Sequence, residues 1–445
     1  MQTVKIFHGS FYGLVGFILP TVMVFVAYPI LIDGLGITGF GIFLLINSVT
    51  GAFSMLDFGL SSAILKYVAE DLSNGNAHGV ADIFATGFIY YCALGAGLAL
   101  LMWMVAPSLQ DMMSTPLETK LDTILAFKIA AFQLVFAMLI ALFTSLMKGF
   151  NRFDLSCWIL SAVSFITYGG AIAAVKLNHG GLVQVVLWGC ISNVALVPVC
   201  MIFSHSIAKD VNVKLLNGRP SKSTLRRLFS FSSALMVHSV VSMFFGHGQR
   251  LLVGFWLGPN AVSVYTIANT LVSKVHAVIN AMTEVMFPIS SSNKNIFLLR
   301  KMYIRVVLTS MLFAGLLLSC LTVFAEQILT IWVGPTLAAA AKPLIGVFAL
   351  GFFILSFSPP TYHIVNGKGM PWLNVIFDVS NLALAALLMA IVYVTEISLI
   401  KIVWAFAISN LIQSLCYQYT VERYCWQKWL AIPNSIRQIP DSIIK

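Results

Sequence analysis

Long apolar stretches separated by short polar connectors fill almost the whole chain. About twelve could cross a bilayer: residues 10–32, 37–57, 80–106, 124–147, 155–175, 181–203, 229–257, 261–289, 304–325, 343–365, 373–394 and 398–420. A helical crossing needs about 20 apolar residues. Runs such as Leu134–Leu146 show no alternation of apolar and polar positions, unlike the strands of a membrane barrel. The pattern predicts an all-α polytopic membrane protein. Lys5 precedes the first stretch without a small-residue cleavage site, so that stretch is expected to stay as the first helix.

Six stretches precede the midpoint and six follow it, and short motifs repeat across it. Leu35-Gly36 with Asn47 returns as Leu257-Gly258 with Asn269, an offset of 222. Phe43 tracks Tyr265, Leu45 tracks Ile267 and Ser48 tracks Thr270. Lys148-Gly149 leading to Leu155 returns as Asn366-Gly367 leading to Leu373, at an offset of 218. A doubled bundle is the usual architecture of a secondary transporter. The expected organisation is an N-terminal six-helix lobe (1–205), a basic cytoplasmic linker (206–228), a C-terminal six-helix lobe (229–420) and an interfacial tail (421–445). Trp426, Lys428 and Trp429 give that tail its interfacial character.

Composition agrees. Apolar residues make up 59% of the chain and charged residues 9%, against about 25% charged in a soluble domain. The net charge of +10 does not point to nucleic acid, because of where the charge lies. With both termini cytoplasmic, 19 of 26 Lys and Arg fall in cytoplasmic segments and 5 in external loops. That is the positive-inside pattern. The densest basic stretch, Lys209 to Arg227, reads as topology and contact with anionic lipid. The seven cysteines include no close pair, and neither a metal site nor a cofactor motif is present.

The connectors are too short to carry a catalytic domain. Asp111, Glu118 and Asp122 sit on the longest external one, Pro107 to Thr123, and read as a solvated face. No phosphate-cradling glycine loop or nucleophile elbow occurs. An enzyme is therefore disfavoured, although a membrane polysaccharide polymerase or glycosyltransferase stays as an alternative.

Polar residues inside the spans carry the candidate chemistry. Asn47, Gly51, Ser54 and Asp57 recur at helical spacing, as do Asn269, Ser273, His276, Asn280 and Glu284. Each stripe faces either neighbouring helices, as hydrogen-bonding glue, or a water-filled cavity. Asn374, Asp378 and Asn381 pose the same choice. Arg250 and Lys274 lie well inside spans, where a cation costs about 2.5–3.5 kcal/mol at mid-bilayer. Lys274 lies about 140° around its helix from Asn269 at ~100° per residue, so the two do not share a narrow groove. Pro20, Pro29 and Pro359-Pro360 predict kinks. Gly34, Gly36, Gly39 and Gly41 suit a tight external turn between the first two spans.

Pro29 to Gly36, Gly39-Phe-Gly41 and Leu56-Asp57-Phe58-Gly59-Leu60 resemble the opening of bacterial polysaccharide (O-antigen or capsule) flippases. Leu251 to Gly258 and Val264-Tyr265 are similar to their seventh-to-eighth helix junction. These flippases belong to the multidrug/oligosaccharidyl-lipid/polysaccharide exporter superfamily. The resemblance implies two six-helix lobes around a central cavity, in the bacterial inner membrane. It implies transport of a polyprenyl-diphosphate-linked oligosaccharide by alternating access, coupled to a proton or sodium gradient, with polysaccharide-assembly proteins as possible partners. On that reading Arg250 and Lys274 are head-group or cavity cations, and Asn47, Asn269, His276 and Asn280 line the cavity. Asp57 and Glu284 are then coupling or gating acids. A multidrug exporter of cations, on the same fold, is the other transport alternative.

Overall fold

The computed structural model describes residues 2–113, 119–292, 295–427 and 429; Glu118 and Lys428 lie outside them. The described residues are almost entirely helical and contain no strand. The first compact unit is Met1–Ser263 and the second Val264–Lys445. The division falls inside a helix of the second repeat, and the basic segment 206–228 lies within the first unit.

The first unit contains α1 (Gln2–Ser54), α2 (Leu60–Ser73), α3 (Ala77–Met112), α4 (Lys120–Gly149), α5 (Phe153–Asn178), α6 (Leu182–Asp210), α7 (Lys222–Met243) and the start of α8 (Gln249–Thr283). A π-helical turn, Phe244–Gly248, joins α7 to α8. The second unit continues α8 and adds α9 (Met286–Ser292), α10 (Ile296–Val323), α11 (Ala325–Val333), α12 (Pro335–Leu355), α13 (Ser358–Gly367), α14 (Pro371–Thr395) and α15 (Leu399–Thr420).

Among the described residues, ten helical stretches are long and apolar enough to cross a membrane. Two of them, Ile18–Ser54 and Met236–Thr283, run for 37 and 48 residues. At ~1.5 Å per residue each far exceeds a hydrocarbon core of about 30 Å. Each is broken at a glycine with left-handed φ, Gly36 (φ 70°) and Gly258 (φ 78°). Counted as paired crossings, these two bring the total to the twelve expected. Large apolar side chains such as Met104, Leu312 and Val394 stay exposed, at 70%, 76% and 82%. Lipid is the solvent that makes such a surface stable.

The repeat is built into the packing. The first unit's core joins α2, α3, α4, α6 and α7 around Leu60, Ile64, Tyr91, Phe143 and Leu228. The second unit's core gathers Met286, Leu299, Tyr303, Ile364, Tyr417 and Trp426. A Cβ on Gly149 would stand 2.8 Å from Val68 of α2, and one on Gly367 would stand 2.6 Å from the Phe287 carbonyl of α9. Both glycines therefore let the end of one helix approach a short neighbouring helix closely. Gly367→Val is expected to destabilise by about 1–3 kcal/mol through overpacking. A lowered thermal unfolding midpoint in detergent would show it; an unchanged midpoint would remove this close approach from the account.

Several expectations change in detail. α3 runs on through Pro107 to Met112 and α4 begins at Lys120, so the connector between them is shorter than read, and Asp111 pairs with Lys120 at 2.8 Å. Trp426 is buried and Trp429 nearly so, with Trp426 5.4 Å from the Tyr303 ring, so both pack into a core rather than at an interface. Cys320 and Cys416 are exposed, while Cys157, Cys190, Cys200 and Cys425 are buried.

Candidate functional site

The glycine turns of the two repeats meet inside the first unit. Left-handed Gly36 and Gly258 each reverse the chain without the penalty a side chain would bring. Thr38 Oγ1 donates to Asn260 Oδ1 at 2.7 Å, and these residues are 222 apart, the repeat offset. Ser263 Oγ donates to the Ile37 carbonyl at 2.7 Å. The repeat mate of Ser263 is Gly41, and a Cβ there would lie 2.0 Å from the carbonyl oxygen of Pro259, the mate of Ile37. The contact is thus reciprocal, like a two-fold interface formed within one chain. Gly41 serves this close approach rather than the turn itself.

Below this junction lies a polar cluster around Arg250. The π-helical turn places His247 against α1, where Gly51 leaves room for the ring: a Cβ on Gly51 would be 2.3 Å from the imidazole. Such insertions in helices recur at functional sites. Arg250 interacts electrostatically with His247 and with the phenols of Tyr28 on α1 and Tyr168 on α5. Tyr28 is buried and packs edge-on against Phe40 at 5.0 Å. Arg250 Nε and His247 Nδ1 are buried without a hydrogen-bond partner among the described residues. Leaving such groups unsatisfied is costly, and a guanidinium is the costlier of the two. The cluster presents donors and positive charge, which is the chemistry that receives an anionic oxygen.

The other expected residues divide between the units. Asn47 is half-buried on α1, one turn before Gly51. Asp57 accepts from the backbone N–H groups of Gly59 (2.9 Å) and Ser61 (3.2 Å) and from the Tyr91 hydroxyl (3.2 Å). Its carboxylate therefore starts α2, where the helix dipole favours negative charge. Left-handed Phe58 and Gly59 make the sharp corner that this capping needs.

In the second unit Asn269, Lys274, His276, Asn280 and Glu284 follow one another along α8 and its end. Asn269 Oδ1 and His276 Nδ1 are buried without partners among the described residues, and His276 lies 5.8 Å from the Phe352 ring of α12. Lys274 is half-buried and engaged with neighbouring groups. The Asn280 backbone hydrogen-bonds to a residue the sequence did not single out, His363 of α13. Asn374 and Asn381 are helix glue: Asn374 donates to Asn366 at 2.8 Å and accepts from the Tyr417 hydroxyl, and Asn381 donates to Asn410 at 3.0 Å. Among the described residues no group of three or more His, Cys, Asp or Glu is placed to hold a metal ion.

Elsewhere in the first unit Arg227 of α7 reaches α2. It pairs with Asp71 at 3.0 Å and Glu70 at 3.2 Å, and lies 4.2 Å from the Tyr67 ring centroid. The Asp71 hydrogen bonds hold the Arg227 guanidinium above its ordinary pKa. Part of the basic segment thus fastens helices together.

Comparison with known proteins agrees with this architecture. The family model described as "Polysaccharide biosynthesis protein" matches residues 6–294. A Shigella flexneri protein named for O-antigen transport is 20% identical over 432 residues, covering 95% of this chain and 99% of the relative. An inward-facing multidrug transporter of the MATE family is similar in fold, with TM-score 0.80 at 14% identity, covering 93% of this chain and 99% of that one. An outward-facing MATE structure gives 0.68 at 16% identity, with 96% of each chain covered. A transporter of the same superfamily from Pyrococcus furiosus gives 0.60 at 12%, covering 96% of this chain and 95% of that one. The chain belongs to the polysaccharide biosynthesis protein family and is a multi-pass membrane transporter on the fold of the multidrug/oligosaccharidyl-lipid/polysaccharide exporters, as its opening motifs led us to expect.

Proposed function

We propose that the protein is a flippase moving a polyprenyl-diphosphate-linked oligosaccharide across the bacterial inner membrane, with both termini cytoplasmic. The observation that carries this reading is Arg250: a half-buried guanidinium inside the spans, beside two tyrosines, with Nε unpartnered among the described residues. A diphosphate bearing sugars cannot cross hydrocarbon unaided, whereas its polyprenyl tail can stay in the bilayer. A buried cation with phenolic donors stabilises the anionic head inside the protein and supplies what water otherwise would. A site for cationic drugs would need the opposite sign of charge.

Transport proceeds by alternating access between the two repeats, and the reciprocal Thr38–Asn260 and Ile37–Ser263 contacts close the external side. An ion gradient drives it. Asn47, Asn269, His276 and Asn280 line the route for the sugars, with Lys274 as a second cation. Polysaccharide-assembly proteins of the same membrane are the expected functional partners.

The test is complementation of a deletion strain, scoring surface polysaccharide and resistance to cationic dyes side by side. Restored polysaccharide without dye resistance supports the proposal; dye resistance without polysaccharide favours a multidrug exporter. In the same strain Lys274→Ala, at unchanged membrane level, is expected to impair export. Full export by that variant would remove Lys274 from the mechanism.

A further inference from the structure

The start of α10 and the turn that follows α15 form an open pocket of about 300 Å³. Arg300 of α10 makes one wall, and Tyr419, Glu422, Arg423 and Gln427 make the other. α15 ends at Thr420 and runs into a π-helical turn, Val421–Trp426. That turn sends Val421, Cys425 and Trp426 into the second unit's core and leaves Glu422 and Arg423 exposed. The two walls are tied together through Tyr303, three residues on from Arg300. Its hydroxyl donates to Gln418 Oε1 at 2.8 Å, and its ring lies 5.4 Å from that of Trp426.

Charge in the pocket is unbalanced. Arg300 pairs with Glu422, which holds its guanidinium against the opposite wall. Arg423 Nη1 donates to the Tyr419 hydroxyl at 2.8 Å, and among the described residues no carboxylate pairs with Arg423. The rest of its fork is free to bind, and such a fork suits phosphate oxygens. Lys301 is exposed at the same end of α10. Three cations thus stand against one carboxylate.

Depth in the membrane points to the ligand. α10 has 28 residues, about 42 Å at ~1.5 Å per residue, against a hydrocarbon core of about 30 Å. About 6 Å remains at each end, which is the rise from Ile296 to Arg300. The pocket therefore opens at the level of lipid headgroups. From there both helices run into the bilayer with apolar side chains turned outward. On α10, exposed Phe297, Ile304 and Leu308 share a face with Arg300 and Lys301. On α15, exposed Ile412 and Leu415 share a face with Tyr419. These faces suit acyl chains, while the pocket suits an anionic oxygen.

We propose that this pocket binds the phosphate of an anionic membrane phospholipid. Arg423 and Arg300 are its donors, and Glu422 keeps Arg300 in position. A zwitterionic headgroup carries its own cation and gains less from the arginines. The site is built from second-unit residues alone, and it stands on the membrane-spanning fold rather than on the flippase reading.

The test is native mass spectrometry of the full-length protein in detergent. It is titrated with phosphatidylglycerol, phosphatidylcholine, a polyprenyl phosphate or inorganic phosphate. Wild type should retain one phosphatidylglycerol at least about fivefold more tightly than phosphatidylcholine. Arg423→Gln should abolish that preference and Arg300→Gln should weaken it. Lys342→Gln removes an equal charge from the start of α12, which follows the far end of α10 in the chain, and should leave the preference intact. Inorganic phosphate should not displace the lipid, because it makes no use of the apolar faces. Equal retention of the two phospholipids, or an equal loss of preference in Lys342→Gln and Arg423→Gln, overturns the site. So does displacement by inorganic phosphate, or a stronger hold on the polyprenyl phosphate, which would assign the pocket to transport cargo. Should Arg300→Gln misfold by stranding Glu422, Arg423→Gln still decides the matter, since that side chain is exposed and pairs with no acid among the described residues. No export is measured, so a negative result here leaves the flippase proposal standing, and a failed complementation leaves this site standing.

Discussion

Arg250→Gln is expected to lower polysaccharide export at least about tenfold at unchanged membrane level, because hydrogen bonds to a charged group contribute roughly 1.5–3 kcal/mol. The substitution keeps a polar group at the level of Nε and removes the charge and the guanidinium fork beyond it. Arg250→Lys should keep part of the activity, since a point charge still attracts the diphosphate without bidentate geometry. The surroundings make this interpretable. Arg250 has an unpartnered Nε, so removing the charge strands no carboxylate among the described residues, and His247 loses a neighbouring positive charge. Surface polysaccharide quantified against transporter level is the measurement. Equal export by wild type and Arg250→Gln would take the cation out of substrate handling.

Cross-linking the glycine turns should have an effect of comparable size. Thr38 and Asn260 touch through their side chains at 2.7 Å, which brings the two turns close enough for a cysteine placed at each position to test for a disulfide between them. With the native cysteines replaced by serine, oxidation of Thr38→Cys/Asn260→Cys is expected to form the bond readily and to stop export. Reduction should restore it. If these contacts open in every transport cycle, a covalent bond there cannot be tolerated. Export undiminished in the fully cross-linked protein would show that the junction is permanent and that access alternates elsewhere.

The two experiments concern features that differ in how plainly the sequence displayed them. The long spans were legible because about 20 consecutive apolar residues leave little room for another reading. The short helices α2, α9 and α11 were not, because each is too brief or too polar to register as a span. The repeat was legible in Gly36 and Gly258, whose matching left-handed φ angles the structure bears out. That Gly41 serves the approach of Pro259 rather than the turn could not be read from spacing, since it depends on contact across 218 residues of chain.

The candidate site was legible only where charge marked it. Arg250 stood out as a cation in an apolar stretch. Its tyrosine neighbours did not, because Tyr28 and Tyr168 are ordinary residues for membrane helices until a guanidinium is placed between them. Arg250 belongs to the second repeat by sequence, yet it lies in the first unit and interacts with Tyr28 of α1 and Tyr168 of α5. Asp57 looked like a coupling or gating acid because it is an acid in a motif. In the structure it accepts three hydrogen bonds, two of them from backbone N–H groups at the start of α2. His363 was hidden by Pro359-Pro360, which announced a kink and drew attention to the backbone rather than to the side chain that follows.

The central claim is that this chain carries a lipid-linked oligosaccharide from one leaflet to the other, and the leaflet where the lipid-linked units reside tests it most directly. Membrane vesicles of both orientations, from cells with and without the protein, would be probed with a membrane-impermeant lectin or glycosidase matched to the host's surface polysaccharide. The account predicts that without the protein, and equally with Arg250→Gln, the units accumulate and are reached only from the cytoplasmic face, while wild type exposes them outside. Units reached equally from the outer face in the absence of the protein would contradict it.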